Sequence, residues 1–94
     1  MKQEFFDPDS VHDRESFIRF VEWLIADRQE AEALERADPQ RYQWGGANGW
    51  QNSSIAAFLE GAISGADAQR DWGNGAGPSW KDLAVLLYLG KIYE

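Results

Sequence analysis

Apolar residues recur at three- and four-residue intervals in three separate stretches of this 94-residue chain. This spacing places them on one face of an α-helix, so the pattern predicts an all-α protein, a compact bundle of three main helices. We expect the helices near residues 13–36, 53–70 and 79–90, within one domain that covers residues 1–94. The predicted core is made of residues that repeat at helical spacing: Phe17, Val21, Leu24, Phe58, Leu59, Ile63, Trp80, Leu83 and Leu87.

Capping residues precede each predicted helix. Ser10 or Asp13 can accept hydrogen bonds at the start of the first helix, and Asn52 or Ser53 can do so at the second. Ser79 opens the third helix in a sequence that resembles a capping box. These residues set the expected beginnings of the three helices.

Glycines predict how the second and third helices pack and end. Gly61 and Gly65 lie four residues apart, which suits close approach to a neighbouring helix. Gly90 is expected to end the third helix, with Lys91 near the negative end of the helix dipole.

The segments outside the helices are rich in glycine and tryptophan. Residues 1–9 are expected to form an N-terminal arm, which Phe5 and Phe6 could dock onto the domain. Residues 38–52 form either a short hairpin or an irregular loop, and residues 71–78 form a second glycine-rich connector.

The chain is acidic, with sixteen Asp and Glu, nine Lys and Arg, and a formal net charge of −7. Lysines and arginines do not cluster, which argues against nucleic-acid binding and against an anionic membrane surface. A basic protein partner suits this charge, although solubility alone also accounts for it. The sequence shows neither a secretory signal nor a long apolar run, so we expect a cytoplasmic protein with no membrane association.

Residue types that carry chemistry are scarce. The chain contains no cysteine and one histidine, His12, which has no partner pattern for a catalytic triad or a metal site. We therefore predict no catalytic residue, no metal ligand and no cofactor, and we expect the protein not to be an enzyme.

Five tryptophans stand out in a chain of this size. Most are expected in the core, since each ring can bury roughly 150–250 Å². Trp50 is expected to pack against the start of the second helix, whereas Trp44 is the ring most expected to be exposed. The residues considered for binding a partner or ligand are two loop tryptophans and three acids of the first helix: Trp44, Trp72, Glu15, Glu22 and Glu30.

Short motifs in the second half resemble a family of small uncharacterised bacterial proteins, known as a domain of unknown function. They are Trp50-Gln51-Asn52, Phe58-Leu59-Glu60, Pro78-Ser79-Trp80 and Gly90-Lys91-Ile92-Tyr93-Glu94. Gln51 stands where the family usually has Glu. The resemblance implies a compact bacterial domain and brings no catalytic residue with it.

Two functions of different classes fit these features. The first is a non-enzymatic protein-interaction module, one form of which is an immunity- or antitoxin-like inhibitor that binds a basic protein. The alternative is a small-molecule or carbohydrate-binding domain that uses the loop tryptophans.

Overall fold

Three α-helices account for most of the fold, as the spacing of apolar residues predicts. The structure is a computed structural model that describes residues 5–69, 72 and 79–93. The helices are α1 (Arg14–Ala37), α2 (Ile55–Ala68) and α3 (Trp80–Ile92). Short 3-10 helices cover Pro8–Ser10 and Ala47–Gly49. The described residues contain no β-strand, so the all-α prediction is confirmed.

The first helix begins where the sequence predicts. Asp13 caps α1: its Oδ1 accepts hydrogen bonds from the Ser16 hydroxyl at 2.6 Å and from the Ser16 N–H at 2.8 Å. The Ser16 hydroxyl oxygen in turn accepts from the Asp13 N–H at 3.1 Å. The hydroxyl hydrogen bond, followed by that of the Ser16 N–H, lowers the pKa of the Asp13 carboxyl from its ordinary value.

The second helix begins slightly later than predicted. Its N-cap is Ser54, whose hydroxyl accepts from the Ala57 N–H at 3.0 Å. Neither of the expected caps, Asn52 and Ser53, has this role. The Asn52 amide instead donates to the Gly90 carbonyl at 2.9 Å and to the Tyr93 carbonyl at 2.6 Å, so it ties the start of α2 to the end of α3.

Helices α2 and α3 pack closely because glycine lies at their contact. A Cβ atom placed on Gly61 would collide with the Tyr93 carbonyl oxygen and lie 2.5 Å from the Asn52 amide nitrogen. A Cβ atom on Gly65 would lie 2.9 Å from the Leu89 Cβ. The predicted role of these two glycines in close helix approach is confirmed.

Gly90 does not end the third helix, contrary to the prediction. Helix α3 continues to Ile92, and Gly90 is buried where a Cβ atom would lie 2.9 Å from both the Phe58 carbonyl oxygen and the tip of its ring. Lys91, expected near the helix end, is also buried. Gly90 is therefore a packing residue that lets α2 approach.

The core lies between α1, α3 and the loop before α2, and the predicted core is only partly right. Leu24 is buried, and four other predicted residues are half-buried against the core: Phe17, Val21, Phe58 and Leu87. Leu59 and Ile63 remain 53% and 61% exposed, because α2 meets α3 through its glycines and alanines. Trp80 and Leu83 are also exposed.

The N-terminal arm and the loops were also the subject of expectations. The described part of the N-terminal arm, which starts at Phe5, is docked by its rings, as expected: Phe5 meets Trp23 edge-on at 5.7 Å, and Phe6 meets Phe20 at the same distance between ring centroids, whereas residues 1–4 lie outside the described residues. The hairpin considered for residues 38–52 does not form, since a 3-10 turn takes its place. The expected connector at 71–78 lies outside the described residues except for Trp72.

Among the described residues, no helix is both long and apolar enough to cross a membrane.

The packing at Gly61 leads to a stability prediction. Gly61→Ala should lower the free energy of unfolding by about 1–3 kcal/mol, the usual range for overpacking, although Ala has the higher helix propensity. Gly45→Ala is the matched control, since a Cβ atom there meets nothing within 4 Å. Urea denaturation of both variants measures the difference. A more stable Gly61→Ala variant would contradict the packing described here.

Candidate functional site

A buried carboxylate in the middle of α1 organises the region around the candidate site. Asp27 is buried, and its Oδ2 accepts hydrogen bonds from the Lys91 ammonium at 2.6 Å and from the Trp50 indole N–H at 2.9 Å. Its Oδ1 accepts from the Asn48 amide at 3.2 Å. One side chain therefore connects α1 with the loop before α2 and with the end of α3.

Aromatic rings surround the Lys91 ammonium. Its Nζ lies 5.3 Å from the Trp23 ring centroid and 5.5 Å from that of Trp50, within the range of cation–π attraction. The backbone carbonyl of Lys91 accepts from the Gln51 N–H at 2.9 Å. The buried charge is thus compensated by an opposite charge and by two ring faces, as a buried ion requires.

The loop that carries Trp50 is fixed by its own hydrogen bonds. Asn48 and Gly49 both have positive φ, 56° and 81°, which turns the chain back sharply. The Gly46 N–H donates to the Trp50 carbonyl at 2.9 Å, and the Trp50 N–H donates to the Ala47 carbonyl at 3.1 Å. These bonds hold the Trp50 indole against Asp27. The predicted burial of Trp50 is confirmed, with only 4% of the residue exposed.

Beside Trp50 lies an apolar groove of about 350 Å³ between α1 and the start of α2. Leu24, Trp50 and Phe58 contribute its most buried part, with the Trp50 and Phe58 rings stacked at 6.1 Å. Ile25 on α1 and Ile55 on α2 also line it, and they are 53% and 81% exposed. The groove therefore presents large apolar side chains to solvent.

The face of α1 that lines the groove alternates apolar and acidic side chains. Helical spacing places exposed residues along it in the order Glu15, Ile18, Glu22, Ile25, Gln29, Glu32 and Arg36, of which Ile25, Gln29 and Glu32 line the groove itself. Arg28 is half-buried at the edge of the groove, 5.3 Å above the Trp50 ring and 3.2 Å from the Glu35 carboxylate. Arg28 is already paired, so the exposed charges of this face are three acids, Glu15, Glu22 and Glu32, and one base, Arg36.

The face of α2 that continues from the groove is apolar. Ile55, Leu59 and Ile63 follow one another at four-residue intervals, and all three are exposed. We call the groove together with these three residues the groove surface.

The five residues considered for binding lie in different parts of the structure. Glu15 and Glu22 lie on the face of α1 that continues from the groove towards the helix start, but neither lines the groove itself. Glu30 instead accepts a hydrogen bond from the Asn48 amide at 2.9 Å and supports the loop. The Trp72 indole N–H donates to the Asp82 carbonyl at 2.8 Å, so this half-buried ring is held against α3. Trp44 lies in the same loop as Asn48 and Trp50 and is exposed, as expected.

Sequence reasoning missed Asp27 and Lys91, although a signal was present. Asp27 follows Phe20 and Leu24 at the spacing of the buried face of α1, and Lys91 lies between Gly90 and Ile92 in an apolar helix. An acid at a core position of one helix and a base at a core position of another indicate a buried ion pair.

Within the described residues, no three His, Asp or Glu side chains come together to form a metal site. Comparisons of the chain with protein-family models, curated proteins and solved structures find no match.

The buried pair leads to a second stability prediction. Asp27→Ala should cost about 3–5 kcal/mol of unfolding free energy, because it leaves the Lys91 charge buried without its partner. The double variant Asp27→Leu with Lys91→Met removes both charges and should recover most of that loss. Chemical denaturation of the two variants tests this. If the double variant is no more stable than Asp27→Ala, the penalty does not come from an unpaired charge.

Proposed function

We propose that this protein is a non-enzymatic protein-interaction module whose groove surface binds an amphipathic helix of a basic partner protein. The observation that carries the proposal is the exposure of large aliphatic side chains around a preformed apolar groove, notably Ile25 and Ile55. Exposed apolar surface of this kind marks interaction sites. Helical ligands in particular use apolar residues at three- and four-residue spacing to fill such grooves.

Charge favours a basic partner over a second copy of the chain. Glu22 lies between Ile18 and Ile25 on the α1 face, Glu32 lines the groove beyond Ile25, and the whole chain carries a net charge of −7. Two copies that met through this surface would bring like charges together, whereas Lys and Arg at the edges of an apolar helix would be attracted. The partner therefore combines an apolar stripe with basic flanks.

A cytoplasmic bacterial inhibitor of the immunity or antitoxin kind is one form of this function. Such a protein binds a basic target and needs no chemistry of its own. The resemblance to a bacterial family supports the bacterial origin. We infer that several residues of the motifs which carry the resemblance have an architectural role, because Asn52, Gly90 and Tyr93 meet at the junction of α2 and α3.

The test uses a synthetic helical peptide of about five turns, or about 18 residues, with leucines on one face and lysines on the other. A shuffled peptide of the same composition controls for charge and apolar content. Calorimetry gives the affinity, and ¹H–¹⁵N NMR spectra locate the binding. We expect the amphipathic peptide to bind at least about tenfold more tightly than the shuffled one, a difference of about 1.4 kcal/mol. The shifted resonances should belong to the groove surface.

Three substitutions separate the groove surface from general attraction to an acidic protein. Ile55→Asp should weaken binding about tenfold or more, because it places a charge at the exposed edge of the groove. Glu22→Lys should also weaken it. Asp9→Lys changes the net charge equally but lies in a separate cleft beside Trp72 and Lys81, so its effect should be smaller.

Three results would contradict the proposal. Equal weakening by Glu22→Lys and Asp9→Lys would indicate charge attraction alone. Unchanged binding by Ile55→Asp would remove the groove from the interaction. A dimer in analytical ultracentrifugation that Ile55→Asp converts to monomer would assign the surface to a second copy of this chain.

A further inference from the structure

Trp44 is the most exposed large apolar side chain among the described residues, with 91% of its surface accessible. It precedes Gly45, where an added Cβ atom would meet nothing within 4 Å, so this part of the loop stands clear of the domain. The indole is not used by the core or by the groove surface. An apolar ring of this size at a loop tip is costly to expose to water unless it binds something.

A polar cleft of about 290 Å³ lies beside the Trp44 ring. Besides Trp44, side chains with hydrogen-bonding groups line it: Glu35, Tyr42, Gln43, Gln51 and Ser53. The buried Trp50 also contributes, so this residue lines both the cleft and the apolar groove. The volume is just below the range of about 300–1,000 Å³ for small-molecule pockets.

The polar groups of the cleft favour a neutral ligand. Among the described residues, those that line the cleft include no lysine or arginine, so an anion would find no opposite charge. The one carboxylate, that of Glu35, already accepts from the Ala47 N–H at 3.0 Å and from the Arg28 guanidinium at 3.2 Å. The charge of Glu35 is therefore balanced within the protein, and the exposed Gln43, Gln51 and Ser53 remain to meet a ligand.

We propose that Trp44 and the polar cleft bind a neutral carbohydrate, with one pyranose ring stacked on the indole. A pyranose has a face of C–H groups, which carry slight positive charge, and an indole face is electron-rich, so the two attract one another. Hydroxyl groups around the sugar both donate and accept hydrogen bonds. The amides of Gln43 and Gln51 and the hydroxyl of Ser53 can also do both.

This site is independent of the groove surface and goes beyond the proposed function. A nucleoside would also stack on Trp44, and it has polar groups that can meet the amides and hydroxyl of the cleft, so the experiment includes both classes.

The experiment titrates the ¹⁵N-labelled protein with neutral mono- and disaccharides of glucose, galactose, mannose and N-acetylglucosamine, and with adenosine and uridine. Trp44→Phe, which lacks one indole N–H signal, assigns the Trp44 resonance. We expect at least one saccharide to shift the Trp44 indole signal in a saturable manner, together with the side-chain amides of Gln43 or Gln51. Saturation-transfer NMR should place the C–H face of the sugar against the protein.

Variants distinguish stacking from incidental binding. Trp44→Ala should weaken the saccharide affinity about tenfold or more, whereas Trp44→Phe should retain part of it, because it keeps a ring face. Trp44 is so exposed that neither change should affect folding, which thermal unfolding verifies. Ile55→Asp should leave saccharide binding unchanged, and Trp44→Ala should leave binding of the amphipathic peptide unchanged.

Three outcomes would overturn the site. The first is that no saccharide shifts the Trp44 signal at high millimolar concentration. The second is equal saccharide affinity in the wild type and Trp44→Ala. The third is tighter binding of a nucleoside than of every saccharide. None of them bears on the groove surface, so this proposal and the proposed function can fail separately.

Discussion

The buried contact between Asp27 and Lys91 is the constraint on which the arrangement of this small domain depends. Its two charges come from α1 and from the last turn of α3, sixty-four residues apart in sequence. A carboxylate removed from water is stable only where several donors converge on it, and here the donors are the Lys91 ammonium, the Trp50 indole and the Asn48 amide. Their convergence requires the loop before α2 to lie between the two helices, which in turn determines where α2 begins.

The contact between α2 and α3 explains why apolar side chains remain on the surface. Glycines and alanines of α2 face α3, because larger side chains at Gly61 and Gly65 would collide with the end of α3 and the Asn52 amide. The bulky residues of α2 therefore cannot point into this contact. Leu59 and Ile63 remain exposed to solvent beside Ile55, although large apolar residues of this kind usually form a core. Close backbone packing on one side of α2 thus produces the apolar surface on the other.

Helical spacing was enough to predict the fold class and the approximate bounds of all three helices, since periodicity is a local property of the sequence. It was not enough to predict which face of α2 is buried. Because large apolar residues are usually buried, we expected Leu59 and Ile63 in the core. The structure buries Gly61 and Gly65 instead, because the backbones of α2 and α3 approach closely. The charged pair was missed for a related reason. Asp27 and Lys91 each occupy a core position of their own helix, but the pairing joins two helices, so no local pattern connects the two residues. Of the acids singled out for binding, Glu15 and Glu22 lie on the face of α1 that continues from the groove, outside its lining, whereas Glu30 supports the loop.

Trp50 connects this constraint to both surfaces proposed to bind ligands. Trp50 lines both the apolar groove and the polar cleft, and its N–H is held by Asp27. Because Trp50 is fixed by a buried hydrogen bond, the part of each surface that it forms is in place before a ligand arrives. A preformed site loses less conformational entropy on binding than a flexible one. The buried pair of Asp27 and Lys91 therefore affects both surfaces without contacting a ligand, because it holds Trp50, which the groove and the cleft share. The residues that would contact the ligands, Ile55 and Trp44, can remain exposed on either side.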